Sequence, residues 1–399
     1  MQKKNTNTLY AIILFCTIWV YYSLNARYIN FSAFTLLRWA FPFALIGIAV
    51  LLNNGRIAVP PAFFWFFSVA VLVPSVLGIG TITSVVKYIS WALIFYGSYV
   101  YFMQLRSKES IDQCLDLHCA VLVIFQLLNF VFAVLGINEV SGRSTGITTN
   151  ANTLGIYSNL AFWAGVYWRR KTQNGIMKAV WIGFMASAVY TALASGSRTA
   201  FVVLVVDILV LVFLLQKNRK KFWLFAVAAA VFAWLVMSGK LGGLGLTATD
   251  RLTEEGGTTR DNLWEIAMNV WREHKIFGVG YTLSGLFNIE AENMQFHNSY
   301  LTLLVECGLW GAGIMAFGIL PVIYKTVLCF RRSQLIKNYP EFGIGCFMLV
   351  CLAISAWSES FLFAVGSTEG FTFWFLLAWV LAYLPRIKEK TVADLSAKQ

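Results

Sequence analysis

With 399 residues, 58% of them hydrophobic, 16% aromatic and only 13% charged, the chain departs from an ordinary soluble domain, in which about a quarter of residues are charged. Its apolar residues form long, unalternating runs, which excludes a closed β-barrel and leaves helices as the elements that satisfy their backbone inside lipid. A formal net charge of +12 would suit nucleic acid, but the basic residues gather on alternate loops, a pattern set by membrane orientation and not by DNA or RNA.

A spanning helix takes roughly 20 apolar residues, and twelve such segments are predicted in chain order: an all-α polytopic membrane protein with about 12 transmembrane helices in contact with membrane lipids. Lys3 and Lys4 precede the first, near residues 8–24; no small-residue cleavage site follows, so it reads as a retained helix. Three more lie near 33–52, 62–80 and 82–103, joined by short loops. Arg38 and Lys87 fall near the outer ends of the second and fourth, each either a functional charge or one that snorkels to the interface. The fifth, near 117–136, leads to a polar stretch at 136–155 that holds Arg143, Gly146, Asn150 and Asn152, residue types that also make a turn and cap a sixth helix.

The seventh and eighth segments are separated by little more than Ser195-Gly196-Ser197-Arg198, a tight turn that presents one arginine. Asp207 lies about midway along the eighth, where an unpaired carboxylate is costly, so it requires a partner or a cavity. The ninth, near 222–239, opens into a long loop from Lys240 to Asn298, and the last three follow near 299–320, 341–364 and 370–385. Glu306 falls inside the tenth and Glu359 in the outer part of the eleventh. Basic residues from Lys3 and Lys4 through Arg56, Arg106, Lys108, Arg169 to Lys171 and on to Arg386 and Lys388 mark one side, which puts both termini in the cytoplasm. The seven cysteines avoid the long loop, so no disulfide framework is expected.

The most polar long segment runs from Thr258 to Leu301. Thr259 can cap a helix that starts with Arg260 and Asp261, with Leu263, Ile266, Ala267, Val270 and Trp271 on one face, and Gly278 and Gly280 end it. Arg260 then sits where free backbone N–H groups and the helix dipole already favour an anion. Beyond a loop rich in Gly, Asn and Glu come His297 and Asn298, just before the chain turns apolar. Arg143, Arg198, Arg260 and His297 thus lie on polar stretches that share one side of the membrane.

A reaction on a lipid-linked diphosphate needs those residue types. Arginine forks match phosphate oxygens and take up charge on a leaving group, and a histidine near neutrality accepts a proton from a sugar hydroxyl. His118, His274 and His297 show no metal-ligand spacing, and no Walker or dinucleotide motif is present, so neither a metal nor a cofactor is expected. Glu254, Glu255, Glu290 and Glu292 either pair for glycoside chemistry or keep the loop solvated.

Gly196-Ser197-Arg198-Thr199-Ala200, Arg260-x-x-x-Trp264-x-x-Ala267, Phe277-Gly278-Val279-Gly280 and His297-Asn298-Ser299-Tyr300-Leu301 with Glu306-Cys307-Gly308 resemble, in order and spacing, the signature of the O-antigen ligase and polymerase superfamily. Arg143-Ser144-Thr145-Gly146 with Thr149-Asn150-Ala151-Asn152 is similar to that family's Arg, Gly and Asn-Pro-Asn pattern, with Ala151 where proline is usual. The resemblance covers roughly residues 140–320.

It implies a metal-independent, inverting glycosyltransferase of the membrane-embedded GT-C type, working on the extracytoplasmic face of a bacterial cytoplasmic membrane. Its donor would be an undecaprenyl-diphosphate-linked glycan. By this carry-over Arg198 and Arg260 bind the diphosphate, His297 activates the acceptor hydroxyl, and Arg143, Asn152, Trp264 and Asn298 bind substrate. Glu306 would orient the tenth helix or its neighbours. The implied layout is a scaffold of helices over 1–136, a core over 137–320 that includes the extracytoplasmic loop 240–298, C-terminal helices over 321–385 and a cytoplasmic tail over 386–399. The acceptor is either a second lipid-linked repeat unit, as in a polymerase, or a lipid A core, as in a ligase; nothing points to a dedicated lipid A core site, which favours the polymerase. A lipid-linked glycan flippase is the competing class, because Lys87, Asp207 and Glu359 fall within helices; a transporter, however, would concentrate charge near midplane.

Overall fold

A computed structural model describes residues 58–77, 82–105, 107–215, 259–284, 296–331, 339–364 and 367–396, with single positions at 43, 46, 47, 50, 223, 227 and 231. The expected helix near 8–24, most of those near 33–52 and 222–239, Arg38, and Glu254, Glu255, Glu290 and Glu292 lie outside the described residues.

The protein is an all-α membrane protein. Its described helices are α1 (Ala62–Leu77), α2 (Ile82–Gln104), α3 (Lys108–Val134), α4 (Ala151–Lys171), α5 (Gly175–Ala194), α6 (Arg198–Leu215), α7 (Thr259–Glu273), α8 (Ser299–Arg331), α9 (Pro340–Ser355) and α10 (Thr368–Ser396). Two short antiparallel strands, β1 (Glu139–Val140) and β2 (Arg143–Ser144), pair Glu139 with Ser144 and Val140 with Arg143. Among the described residues Lys108–Val134, Gly175–Ala194, Ser299–Val327 and Thr368–Ile387 are long and apolar enough to cross a bilayer.

Several boundaries differ from the sequence reading; α8, for one, runs to Arg331, past the expected end near 320. Helix α3 starts at Lys108, before the expected 117, because Ser107 caps it by accepting from the Ser110 N–H (3.1 Å). Helix α9 stops at Ser355 and leaves Glu359 in the connection to α10, where the chain bonds to the start of α8 instead of to itself. Helix α10 runs on to Ser396, through residues expected to form a tail.

The chain divides into two compact units. In the first, which takes residues 115–256 and 350–355 among others, α4 packs on α5 and α6. A buried polar seam joins them: Gln126 Nε2 donates to Thr191 Oγ1 (2.8 Å), and Thr191 and Ser158 share a hydroxyl contact of 2.8 Å. Asp207, the mid-helix carboxylate, has partners here. Its Oδ1 accepts from Trp163 Nε1 (2.8 Å) and from Cys351 Sγ (3.0 Å). Asp207→Asn keeps that oxygen, whereas Asp207→Ala strands a buried indole N–H. We therefore expect the alanine variant to lose about 1–3 kcal/mol in a detergent thermal-unfolding series, and the asparagine variant to lose much less.

In the second unit, residues 35–114, 257–349 and 356–399, α1 packs against α8, α2 against α10, and α7 against α8. Its core is aromatic: Phe67 stacks on Trp91 at 3.6 Å between centroids, and Trp374 meets both edge-on at 5.3 Å. Helix α7 buries the face its sequence marked out. Ala267 joins Val279, Leu283, Phe296 and Val305 in one apolar cluster, with Ile266, Val270 and Trp271 against it.

Helix α8 is broken at Gly308 (φ 63°, ψ −165°), and the segment after α7 fills the break with its own backbone. Val279 N–H donates to Val305 O (3.0 Å) and Gly280 N–H to Glu306 O (2.9 Å), while Leu309 and Trp310 N–H donate back to Lys275 O (2.9 Å) and Ile276 O (3.0 Å). Carbonyls and amides freed by the break are thereby satisfied. Such an approach is open only to glycine on both sides. A Cβ at Gly308 would lie 2.2 Å from Ile276 O, and one at Gly278 would lie 2.5 Å from Glu306 O.

Candidate functional site

The break in α8 fixes the geometry above it, in the second unit. Asn298 caps α8: its Oδ1 accepts from the N–H groups of Tyr300 and Leu301 (both 3.0 Å), and its own N–H donates to Ser360 Oγ (3.0 Å). Ser299 then clamps the α9–α10 connection. Its N–H reaches Ala356 O (2.8 Å) and Glu359 O (3.1 Å), its hydroxyl donates to Glu359 O (2.6 Å), and Leu362 N–H donates to that hydroxyl (3.2 Å). Residue 359 is therefore held from both backbone and side-chain directions.

The clamp delivers Glu359 to two cationic or protonatable groups at once. Its Oε1 lies 3.1 Å from the Arg260 guanidinium and its Oε2 lies 3.2 Å from His297 Nδ1. A carboxylate only accepts, so Nδ1 carries the proton in this pair, and in the neutral ring the lone pair is then on Nε2. His297 itself has φ 48°, a left-handed conformation that a non-glycine residue adopts only when its surroundings enforce it. The Trp264 indole contributes by donating to Phe296 O (2.9 Å), which ties the residue before His297 to α7. With 33% of each side chain exposed, Arg260 and His297 are both open to a ligand, whereas Glu359, at 15%, is the more enclosed.

Below this level Glu306, buried in α8, accepts from Ser284 Oγ (2.6 Å) and anchors the turn that follows Gly280. Tyr281 OH donates to Phe363 O (3.2 Å). Burial, with Glu306 and Cys307 beside it, holds the Tyr281 phenol well above its usual range, so it remains a donor.

The remaining sequence candidates form a second cluster inside the first unit. Arg143 Nε donates to Ser195 O (2.7 Å) and its Nη2 to Asn152 Oδ1 (2.5 Å), bracing the α5–α6 turn against the start of α4. Asn150 caps α4 through the Asn152 N–H (2.8 Å), the capping role its composition allowed. Ser197 caps α6 by accepting from Ala200 N–H (3.3 Å), and Arg198 is the first residue of that helix, with its side chain exposed.

The structure thus joins Arg260, His297, Trp264 and Asn298 in one cluster and Arg143, Asn152 and Arg198 in another, each within its own unit. Sequence reasoning marked Glu359 only as a charge in an apolar segment. That was the available signal; its partners at 260 and 297 were not readable.

Long apolar helices, with a clustered His–Glu–Arg group in the second unit, define an integral membrane protein. Residues 182–316, roughly a third of the chain, match the family model described as O-antigen ligase. The match spans Arg198, Arg260, Trp264, His297, Asn298 and Glu306, while Arg143, Asn152 and Glu359 lie outside it. No curated protein matches the sequence.

Proposed function

We propose that the protein is a glycosyltransferase that polymerises undecaprenyl-diphosphate-linked oligosaccharide repeat units on the extracytoplasmic face of a bacterial cytoplasmic membrane. The observation that supports it is the Glu359 carboxylate bridging Arg260 and His297, which leaves Nε2 of the imidazole as an oriented base. In this reading Nε2 takes the proton of the acceptor hydroxyl as its oxygen attacks the anomeric carbon. The bond from that carbon to the diphosphate breaks on the opposite side, and configuration inverts. Charge then develops on the diphosphate oxygen, where a guanidinium stabilises it. Arg260 is linked to His297 through their shared carboxylate. The family resemblance gives Arg198, at the first turn of α6, a diphosphate-binding role as well, and Arg143 with Asn152 braces the turn that presents it.

The test is purified protein with one lipid-linked repeat unit, no other acceptor, and EDTA, with products resolved on a gel. A ladder is expected. A product that forms only when lipid A core is added would replace polymerase by ligase, and no product in either mixture would overturn the enzymatic reading.

Glu359→Gln probes the dyad within that assay. The amide can present a donor to Nδ1, which favours the wrong tautomer. We expect the rate to fall by roughly 10²–10⁴-fold, as happens when the carboxylate of an acid–His pair becomes an amide.

A further inference from the structure

Three aromatic side chains border the His297–Glu359 pair and have no part in the proton transfer. Tyr300 lies in the first turn of α8, just past His297, and Trp357 lies two residues before Glu359. The Ser299 N–H to Ala356 O bond (2.8 Å) lashes these two stretches together. The Trp357 ring is 6.2 Å from that of Tyr300, at 44°, and 6.4 Å from that of Trp264, at 86°. Trp264 is fixed in turn by its bond to Phe296 O, next to His297. The outer two rings are open: Trp357 is 59% exposed and Tyr300 41%.

We propose that Trp357 and Tyr300 form a saccharide subsite, in which a pyranose ring of the acceptor lies against the aromatic corner with one hydroxyl at His297 Nε2. This rests on His297 being the base. A pyranose has a face of C–H groups and a rim of hydroxyls; the C–H face suits the negative face of an aromatic ring, and the rim needs polar partners. The corner offers both. Its rings stand on the residues next to the partly exposed Arg260–Glu359–His297 group, whose charged and protonatable atoms are the polar partners. A lipid chain laid on the same rings would strip water from a partly exposed ion pair without replacing its hydrogen bonds. A sugar replaces them. Both rings also ride on the backbone that carries the dyad, so binding on them sets the distance from hydroxyl to base.

The test uses His297→Ala protein in nanodiscs, titrated with the repeat-unit oligosaccharide released from its lipid by mild acid. Binding is expected, and adding Trp357→Leu or Tyr300→Leu should weaken it about tenfold, the ~1.4 kcal/mol that one aromatic contact carries. Trp357→Phe should restore most of the affinity, and Trp65→Leu, at an exposed tryptophan of α1, should leave it unchanged. With His297 intact, Trp357→Leu should raise the acceptor KM about tenfold with kcat little altered. Leucine keeps the apolar surface an interfacial anchor requires. Undiminished binding by Trp357→Leu would therefore make the ring an anchor and overturn the subsite, as would no binding at all by the His297→Ala protein. Transfer activity surviving in His297→Ala would remove the base instead, and the titration would still decide the subsite.

Discussion

His297→Ala protein is expected to insert, purify and unfold like the parent, yet to form product at roughly a hundredth to a ten-thousandth of its rate, the span a positioned general base contributes. The expectation separates cleanly from misfolding because His297 is not a core residue. Its ring is partly exposed, and the helix cap and clamp around it are made by Asn298 and Ser299. Alanine removes the contact to Glu359 but leaves the carboxylate paired with Arg260, so no buried charge is stranded. Measured as ladder formation alongside a thermal-unfolding curve, a normal curve with full activity would remove His297 from the chemistry.

The second large effect falls on stability. Gly308→Ala should cost about 3 kcal/mol or more, and reduce the yield of folded protein in the membrane, because two penalties act together. Alanine resists the left-handed φ of 63° at the break, and its Cβ would meet Ile276 O at 2.2 Å with backbone on both sides and no flexible side chain to yield. Gly313, five residues on in the same helix, is the control. A Cβ there meets nothing within 4 Å, so Gly313→Ala should be close to neutral. Equal behaviour of the two variants in thermal unfolding would show that the break tolerates a side chain.

Much of this site was legible in the sequence where its cause is local. The amphipathic face of Thr259–Glu273 was set by spacing alone, and Leu263 and Ala267 bury as that spacing requires, with Trp271 partly buried beside them. The small-residue turn before Arg198 and the Asn150 cap were equally local. What the sequence concealed were contacts between distant segments. Nothing near Glu359 announces that its chain bends away from α9 to bond Ser299, so it read as one more residue of a helix. Gly308 read as part of a family motif. Its physical reason, a strand of backbone laid into a helix break, needs both Lys275–Gly280 and Val305–Trp310 in view.

The shared carboxylate also couples two equilibria. An anion that takes up the Arg260 Nη2 donor competes with Glu359 for it, and that competition weakens anion binding by the worth of the ion pair. The displaced carboxylate still faces His297 Nδ1, so the imidazole keeps its oriented partner while the anion is bound. Reciprocity follows: the factor by which the ion pair weakens the hold on the anion is the factor by which bound anion weakens the ion pair.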